Sequence, residues 1–399
     1  MERIQKINPE DFLRGEPVPS EGIRRATAIM KSGPLFRYSH SKPQDSEVSL
    51  LERDFARLMG TNFALAVNSC SSAIVLALRT VGAGIGTKVL VPSFTFTAVP
   101  SAIVNIGAIP LVVECNSDYR VDIDDLEKKI TPDTKVFLLS HMRGNTSDMD
   151  AIMDICAKHG IAIVEDAAHG LGCKWNRKLV GSFGKAACFS FQSNKIINAG
   201  EGGMLTTDDP KIMAQAVILS GAYERLHEKH FWSRELEGFF VQYRKLLPLY
   251  NMRMTEYAAA LIRPQLPLIE KRARIFRENY AYLTSKLAVS QTIQLPFQDK
   301  RELRAPDSIQ FRLKGFARDQ MRRFMEIVLA NGLPLSAFGA DKDNARVPWN
   351  WQYIGNAPDV PMTKANLANV CDMRLPSTLT KRHLDFVAET ILDAINKVR

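Results

Sequence analysis

Between residues 60 and 220, short apolar runs alternate with stretches whose apolar residues recur at helical spacing. The runs at 63–67, 86–92, 109–114, 136–140, 161–165 and 186–191 read as strands, because they are short, apolar and bounded by turn residues. They lack strict in–out alternation, as expected of strands buried on both faces. Stretches 48–58, 72–81, 98–106, 121–130 and 148–159 read as helices, with Ser147 predicted to cap the last. The alternation predicts an α/β protein with a doubly wound, mostly parallel sheet. In such sheets ligands bind at the carboxyl ends of the strands.

The flanks read differently. Residues 1–45 are an irregular lead-in with one helix, 21–31. Residues 221–250, polar and aromatic, are expected to form a surface excursion with helical pieces. Residues 255–287 are helical, interrupted at Pro264 and Pro267. They are expected to join a large domain, 1–288, to a smaller α+β domain, 289–399, with a strand at 309–313 and helices at 317–329 and 381–398.

A chain of 399 residues is long enough for two such cores. No apolar run approaches a membrane span. The stretch Met1–Glu10 is polar, without a signal-peptide core, so a cytoplasmic protein with no membrane partner is expected. None of the six cysteines forms a C-x-x-C pair, and several lie inside apolar runs, which favours buried free thiols over disulfides or a metal site. The net charge of +9 is spread along the chain with no nucleic-acid motif. It reads as a solvated basic surface, part of which can serve an anionic substrate.

The chemistry concentrates in residues 164–205. Asp166 follows one strand run, and Lys195 follows another just ahead of Gly200, Gly202 and Gly203. Alone, the aspartate reads as a cap and the lysine as a surface charge. Together, with Ser190 between them, they supply what a pyridoxal phosphate (PLP) site needs: an amine to form a Schiff base and a carboxylate to keep the ring nitrogen charged. Upstream, N-S-C-S-S-A at 68–73 opens a helix. Hydroxyls there can be plain caps, but a helix N-terminus is also a phosphate site.

The motifs E-D-A-A-H-G-x-G, G-S-F-G and F-S-F-x-x-x-K-x-x-x-x-G-E-G-G are similar to those of the DegT/DnrJ/StrS-type PLP-dependent sugar aminotransferases. The resemblance runs from about Ser46 to Arg274. It implies the fold type I architecture, with a large domain built on a seven-stranded sheet. It implies Lys195 as the Schiff-base lysine and Asp166 as the ring-nitrogen partner. It further implies Ser71, Ser72 and Ser190 at the phosphate, Phe96 stacked on the ring, and His169 near the phenolic oxygen. Asn251, in N-M-R-M-T-E, would reach the neighbouring subunit's phosphate, making a homodimer with shared active sites. The implied reaction moves an amino group from glutamate or another amino acid to a keto sugar or related cyclic ketone. Another PLP reaction, elimination or carbon–carbon bond formation, is the alternative. Dehydratase relatives replace the lysine by histidine, whereas here it is present.

The chain also departs from the family pattern. Cys70 stands where a glycine is usual, the second glycine of S-G-x-x-x-x-G is missing beside Phe36, Arg37 and Tyr38, and Arg143 replaces an apolar residue. The histidine of Y-x-x-P-L-H is absent, and Arg346, Trp349 and Trp351 are there instead. Arg37, Arg143 and Arg346 are therefore candidate contacts for an anionic substrate, each with a rival reading as a packing or salt-bridge residue. These departures weaken the inference to a nucleotide sugar, not to PLP chemistry.

Overall fold

The computed structural model describes residues 7–399, so the first six residues of the polar N-terminal stretch lie outside the described residues. Seven strands form the main sheet: β1 (Phe63–Val67), β2 (Lys88–Pro92), β3 (Ile109–Val113), β4 (Thr134–Ser140), β5 (Ala162–Asp166), β8 (Ala186–Ser190) and β9 (Gly203–Thr207). Two short strands between them, β6 (Lys174–Trp175) and β7 (Lys178–Leu179), make a hairpin outside it. The order is β1-β9-β8-β5-β4-β2-β3, with β9 antiparallel to both its neighbours and the remaining pairings parallel.

The missing alternation has a direct cause. Leu65 and Val67 enter one core while Ala64 and Ala66 enter another on the opposite face. Leu138 and Val164 likewise face one side, and Phe137, Leu139 and Ile163 the other. Helices cover both faces, so the middles of these strands are apolar on both sides and polar residues such as Ser140 and Asp166 fall at their ends.

Two local expectations are corrected. Ser147 does not cap the helix Met149–Lys158; Asp148 does, accepting from Ala151 N at 3.2 Å, while Ser147 Oγ accepts from Val121 N at 3.1 Å. Nor is 221–250 wholly a surface excursion. Its helix Ser233–Tyr243 packs against the helix Pro210–Leu219, and Trp232, Leu236 and Phe240 join the main core.

A second unit follows the helix Ile269–Leu287. Strands β10 (Ile293–Gln294), β12 (Ser308–Leu313), β13 (Ser336–Ala337) and β14 (Val370–Arg374) form an antiparallel sheet in the order β10-β12-β14-β13. Helices Arg318–Ala330 and Lys381–Val398 pack on it through Phe324, Val328, Leu384 and Ile391. Between β10 and β12, β11 (Glu302–Leu303) reaches across to pair with β6. That crossing brings residues 304–308 against the carboxyl edge of the main sheet.

Candidate active site

The carboxyl ends of β1, β2, β4, β5 and β8, and the start of antiparallel β9, converge on one edge of the sheet. A cavity of about 420 Å³ opens there, within the size range of small-molecule sites. Asp166, the last residue of β5, sits on its floor, only 6% exposed. Ser140 Oγ donates to Asp166 Oδ2 at 2.9 Å and Ala168 N to Oδ1 at 3.1 Å. Cys70 Sγ lies 3.7 Å from the same Oδ1. Burial, then Asp166 itself, pushes that thiol well above its ordinary pKa, so it stays protonated and can donate.

Lys195 enters from the loop after β8 and lines the same cavity. Its Nζ is 2.7 Å from His169 Nε2, and His169 Nδ1 is 2.9 Å from Asp307 Oδ2. A carboxylate only accepts, so Nδ1 carries the proton and Nε2 is left to accept from the lysine. Burial draws the Lys195 amine down to about 8; Asp307 opposes this and Arg143 adds to it. Burial, then Lys195, also pushes the His169 pKa down, which keeps its ring neutral. Burial would raise the Asp307 carboxyl, but His169, Arg143 and Lys195 outweigh it and hold it well below the ordinary range.

On the opposite wall, the helix Cys70–Thr80 points its N-terminus into the cavity. Ser69 caps it, accepting from Ser72 N at 3.1 Å. This leaves the amides of Cys70 and Ser71 without helical partners. With Ser190, which also lines the cavity, they make an anion cradle. Gly203 lets the cradle lie where it does: a Cβ there would stand 2.3 Å from the Ser69 carbonyl carbon and 2.5 Å from Cys70 N. An anion cradle, a buried carboxylate and a lysine with a lowered pKa around one cavity are the donor set that PLP requires, so the residues present fit the cofactor.

The other expected residues fall into two sets. Phe96 lines the cavity, 46% exposed, while Phe94 is core. Arg346 lines it too. Arg143 forms part of the wall in a left-handed conformation (φ 58°), and its guanidinium is engaged by Asp372. Ser72 does not line the cavity; its Oγ donates to Asn68 Oδ1 at 2.6 Å. Nor does Arg37, whose Nη1 and Nη2 donate to the buried Glu52 at 2.6 and 2.9 Å, with His230 completing the cluster. Asn251 is exposed and outside this cavity. The next residue, Met252, accepts from Asn68 N through its carbonyl at 2.9 Å, so the segment runs beside the cradle. Sequence reasoning missed Asp307, Gln192, Asn194, Glu201 and Arg374. An aspartate just ahead of a strand reads as a turn residue, and nothing local marked it.

The family model for the DegT/DnrJ/EryC1/StrS aminotransferase family matches residues 21–392. The chain belongs to this family. It is a PLP-dependent aminotransferase of fold type I. Among its relatives is 3-amino-5-hydroxybenzoate synthase of Amycolatopsis mediterranei, 32% identical over 315 residues, 78% of each chain. GDP-perosamine synthase of Caulobacter vibrioides is 34% identical over 240 residues, which span 59% of this chain and 61% of that one. A crystal structure of 3-amino-5-hydroxybenzoic acid synthase superimposes with a TM-score of 0.82 at 25% identity, covering 96% of this chain and all of that one. Spr1654 of Streptococcus pneumoniae, in its PLP form, gives 0.82 at 22% identity over 97% of this chain and 98% of that one, a likeness in fold. Among the described residues, no helix is long and apolar enough to cross a membrane.

Proposed function

We propose that this aminotransferase takes an amino group from an amino acid, glutamate foremost, and delivers it to a keto sugar or related cyclic ketone in a biosynthetic pathway. The observation that carries the reading is the placement of Lys195, Asp166 and the Ser69–Ser71 helix N-terminus around one cavity. Bound PLP supplies an electron sink that stabilises negative charge at the substrate carbon. The protein's residues do the rest. The cradle and Ser190 anchor the phosphate. Asp166 holds positive charge at the ring nitrogen, with Ser140 and Ala168 N fixing its orientation. Lys195 Nζ, poised near 8, takes a proton from one carbon and returns it to another. His169, locked by Asp307, gives that amine a fixed acceptor. Phe96 covers the ring face. Names among the relatives favour a ring acceptor: 3-amino-5-hydroxybenzoate is itself an amine on a carboxylated ring.

The dimer belongs to the same reading. Asn251 is exposed beside the cradle, where a residue serving a partner's phosphate would stand. The boundary between the two domains is taken near residue 289, and the protein as cytoplasmic. Mixing inactive Lys195→Ala and Asn251→Ala chains tests the shared site. If sites are shared, hybrid dimers contain one site with both residues intact, so activity returns; no recovery counts against sharing. The reaction itself is tested by adding L-glutamate to the PLP-loaded protein and following loss of the lysine-bound cofactor's visible absorbance, with 2-oxoglutarate identified by mass. No spectral change with any amino acid would rule out transamination.

A further inference from the structure

The strands of the C-terminal sheet carry an apolar row and a polar row, and both are buried. Ile309 and Phe311 on β12, with Met373 and Cys371 opposite them on β14, enter the second core. The alternate residues Ser308, Gln310 and Asp372 lie on the other face, as the two-residue period of a strand requires, yet none is more than 2% exposed. Gln310 stands directly opposite Asp372 in the β12–β14 register. Polar side chains held out of water need partners, and here the partners form one continuous row.

Gln310 Nε2 donates to Asp372 Oδ1 at 2.9 Å and to Ser308 Oγ at 3.0 Å. A hydroxyl that accepts keeps its own proton to give, and Ser308 Oγ donates to Asp307 Oδ1 at 3.1 Å. The other Asp307 oxygen is the one that accepts from His169, which faces Lys195. At the far end, the second Asp372 oxygen is engaged by Arg143, from the loop after β4. The row therefore starts at the main sheet, crosses the C-terminal sheet and returns to the main sheet at the lysine. Arg143 adopts its left-handed conformation at a cost, which persists only where neighbours enforce it. A Cβ on the next residue, Gly144, would stand 3.2 Å from the His169 carbonyl oxygen, so this turn also packs on the histidine's own backbone.

We propose that Ser308, Gln310, Asp372 and Arg143 are positioning residues for Lys195: the buried row holds Asp307 against His169 and so fixes the acceptor that the lysine amine meets. This deepens the function proposed above and rests on it. With Oδ1 held by Ser308, the Asp307 carboxylate presents Oδ2 to the ring; without that hold it is free to turn away. Burial lowers the Lys195 amine, and Asp307 is the foremost charge opposing it, so a displaced Asp307 leaves the amine less basic. The other groups facing the amine are Arg143, Asp166 and Cys70, and Glu201, Arg346 and Arg374 line the same cavity. Replacing Ser308 or Gln310 by a neutral side chain changes none of these charges, so a change in lysine basicity reports where Asp307 stands.

The test follows the rate at which the cofactor-free protein takes up PLP as a function of pH. Gln310→Met and Ser308→Ala should each lower the midpoint of that profile by about half a pH unit or more. Combined with Asp307→Asn, either should move it less than about 0.2 unit beyond Asp307→Asn alone, because all act through one carboxylate. Arg301→Met is the control: it breaks ion pairs from the C-terminal unit to Asp148 and Asp150, outside the row, and should leave the midpoint in place. Ser308→Ala removes a single oxygen and carries the test if Gln310→Met does not fold. A midpoint unchanged or raised in either variant overturns the proposal. So does a shift that adds in full to that of Asp307→Asn, or an equal shift in Arg301→Met. Failure of the unaltered protein to react with any amino donor would instead overturn the aminotransferase reading, so the two failures are distinct.

Discussion

Gly203→Ala isolates the anion cradle from the chemistry above it. Gly203 opens β9 and pairs with Val67 on one side and Ser190 on the other, directly beneath Ser69 and Cys70. Its φ lies outside the left-handed region, so alanine meets no backbone strain; the obstacle is contact. The new methyl would stand 2.3 Å from the Ser69 carbonyl carbon, 2.4 Å from its oxygen and 2.5 Å from Cys70 N. Carbon atoms settle at about 3.5 Å or more, so the loop must retreat by roughly 1 Å. Hydrogen bonds to the phosphate from Cys70 and Ser71 N–H do not survive such a displacement, since N–H···O distances span only about 2.7–3.2 Å.

Each charge-assisted bond is worth about 1.5–3 kcal/mol, so losing one weakens PLP binding about 10- to 100-fold. The overpacking itself costs about 1–3 kcal/mol of stability in the cofactor-free protein. Equilibrium titration of apoprotein with PLP, with thermal unfolding of both forms, separates the two effects. Gly238→Ala is the control: it lies in the helix Ser233–Tyr243 with nothing within 4 Å, and should leave PLP affinity alone while adding about 0.5–1 kcal/mol of stability. Were Gly203→Ala to bind PLP within about twofold of wild type, the loop would not be the phosphate site, because a displacement of this size cannot spare it.

Three further outcomes follow from the geometry. The Lys195 amine is nucleophilic only when neutral, so the rate at which apoprotein takes up PLP should climb with pH and level off above about 8; a midpoint near 10, that of an ordinary lysine, would refute the desolvated environment. Asp307→Asn removes the charge that props up the Lys195 pKa, so the same pH profile should move to lower pH; an upward move or none contradicts the Lys195–His169–Asp307 relay. Glu52→Gln strands the buried Arg37 guanidinium and should cost about 3–5 kcal/mol in unfolding measurements without changing PLP affinity; a loss of PLP binding with stability intact would show that Arg37 serves the site after all.

What could be read in the sequence was set by periodicity and local chemistry. The strands were legible because both faces of the sheet are covered, which makes short unbroken apolar runs. Lys195 and Asp166 were legible because each stands at the end of such a run. The errors have equally local causes. Ser147 and Asp148 are adjacent and both are good caps, so spacing alone could not choose between them. Trp232, Leu236 and Phe240 recur every four residues, a helical stripe masked by the polar residues around it. For Arg37 a substrate contact and a packed loop could not be told apart, because its partner, Glu52, lies on another element. Ser72 looked like a phosphate ligand because a run of serines does not show which one turns back, here toward Asn68.

Asp307 and Arg374 were harder still, and the reason bears on how the enzyme is tuned. Both belong to the part of the chain where the family resemblance fades, and both reach the cavity through long-range contacts, Asp307 to His169 and Arg374 to Asn194 beside the lysine. The strand ends of the main sheet fix the amine, the carboxylate and the cradle. The C-terminal unit adjusts how basic that amine is, because Asp307 partly offsets the effect of burial on it. Divergence there leaves the strand-end residues in place while altering lysine basicity. That division explains how a chain can match the family over residues 21–392 and still lack the histidine expected in its small domain.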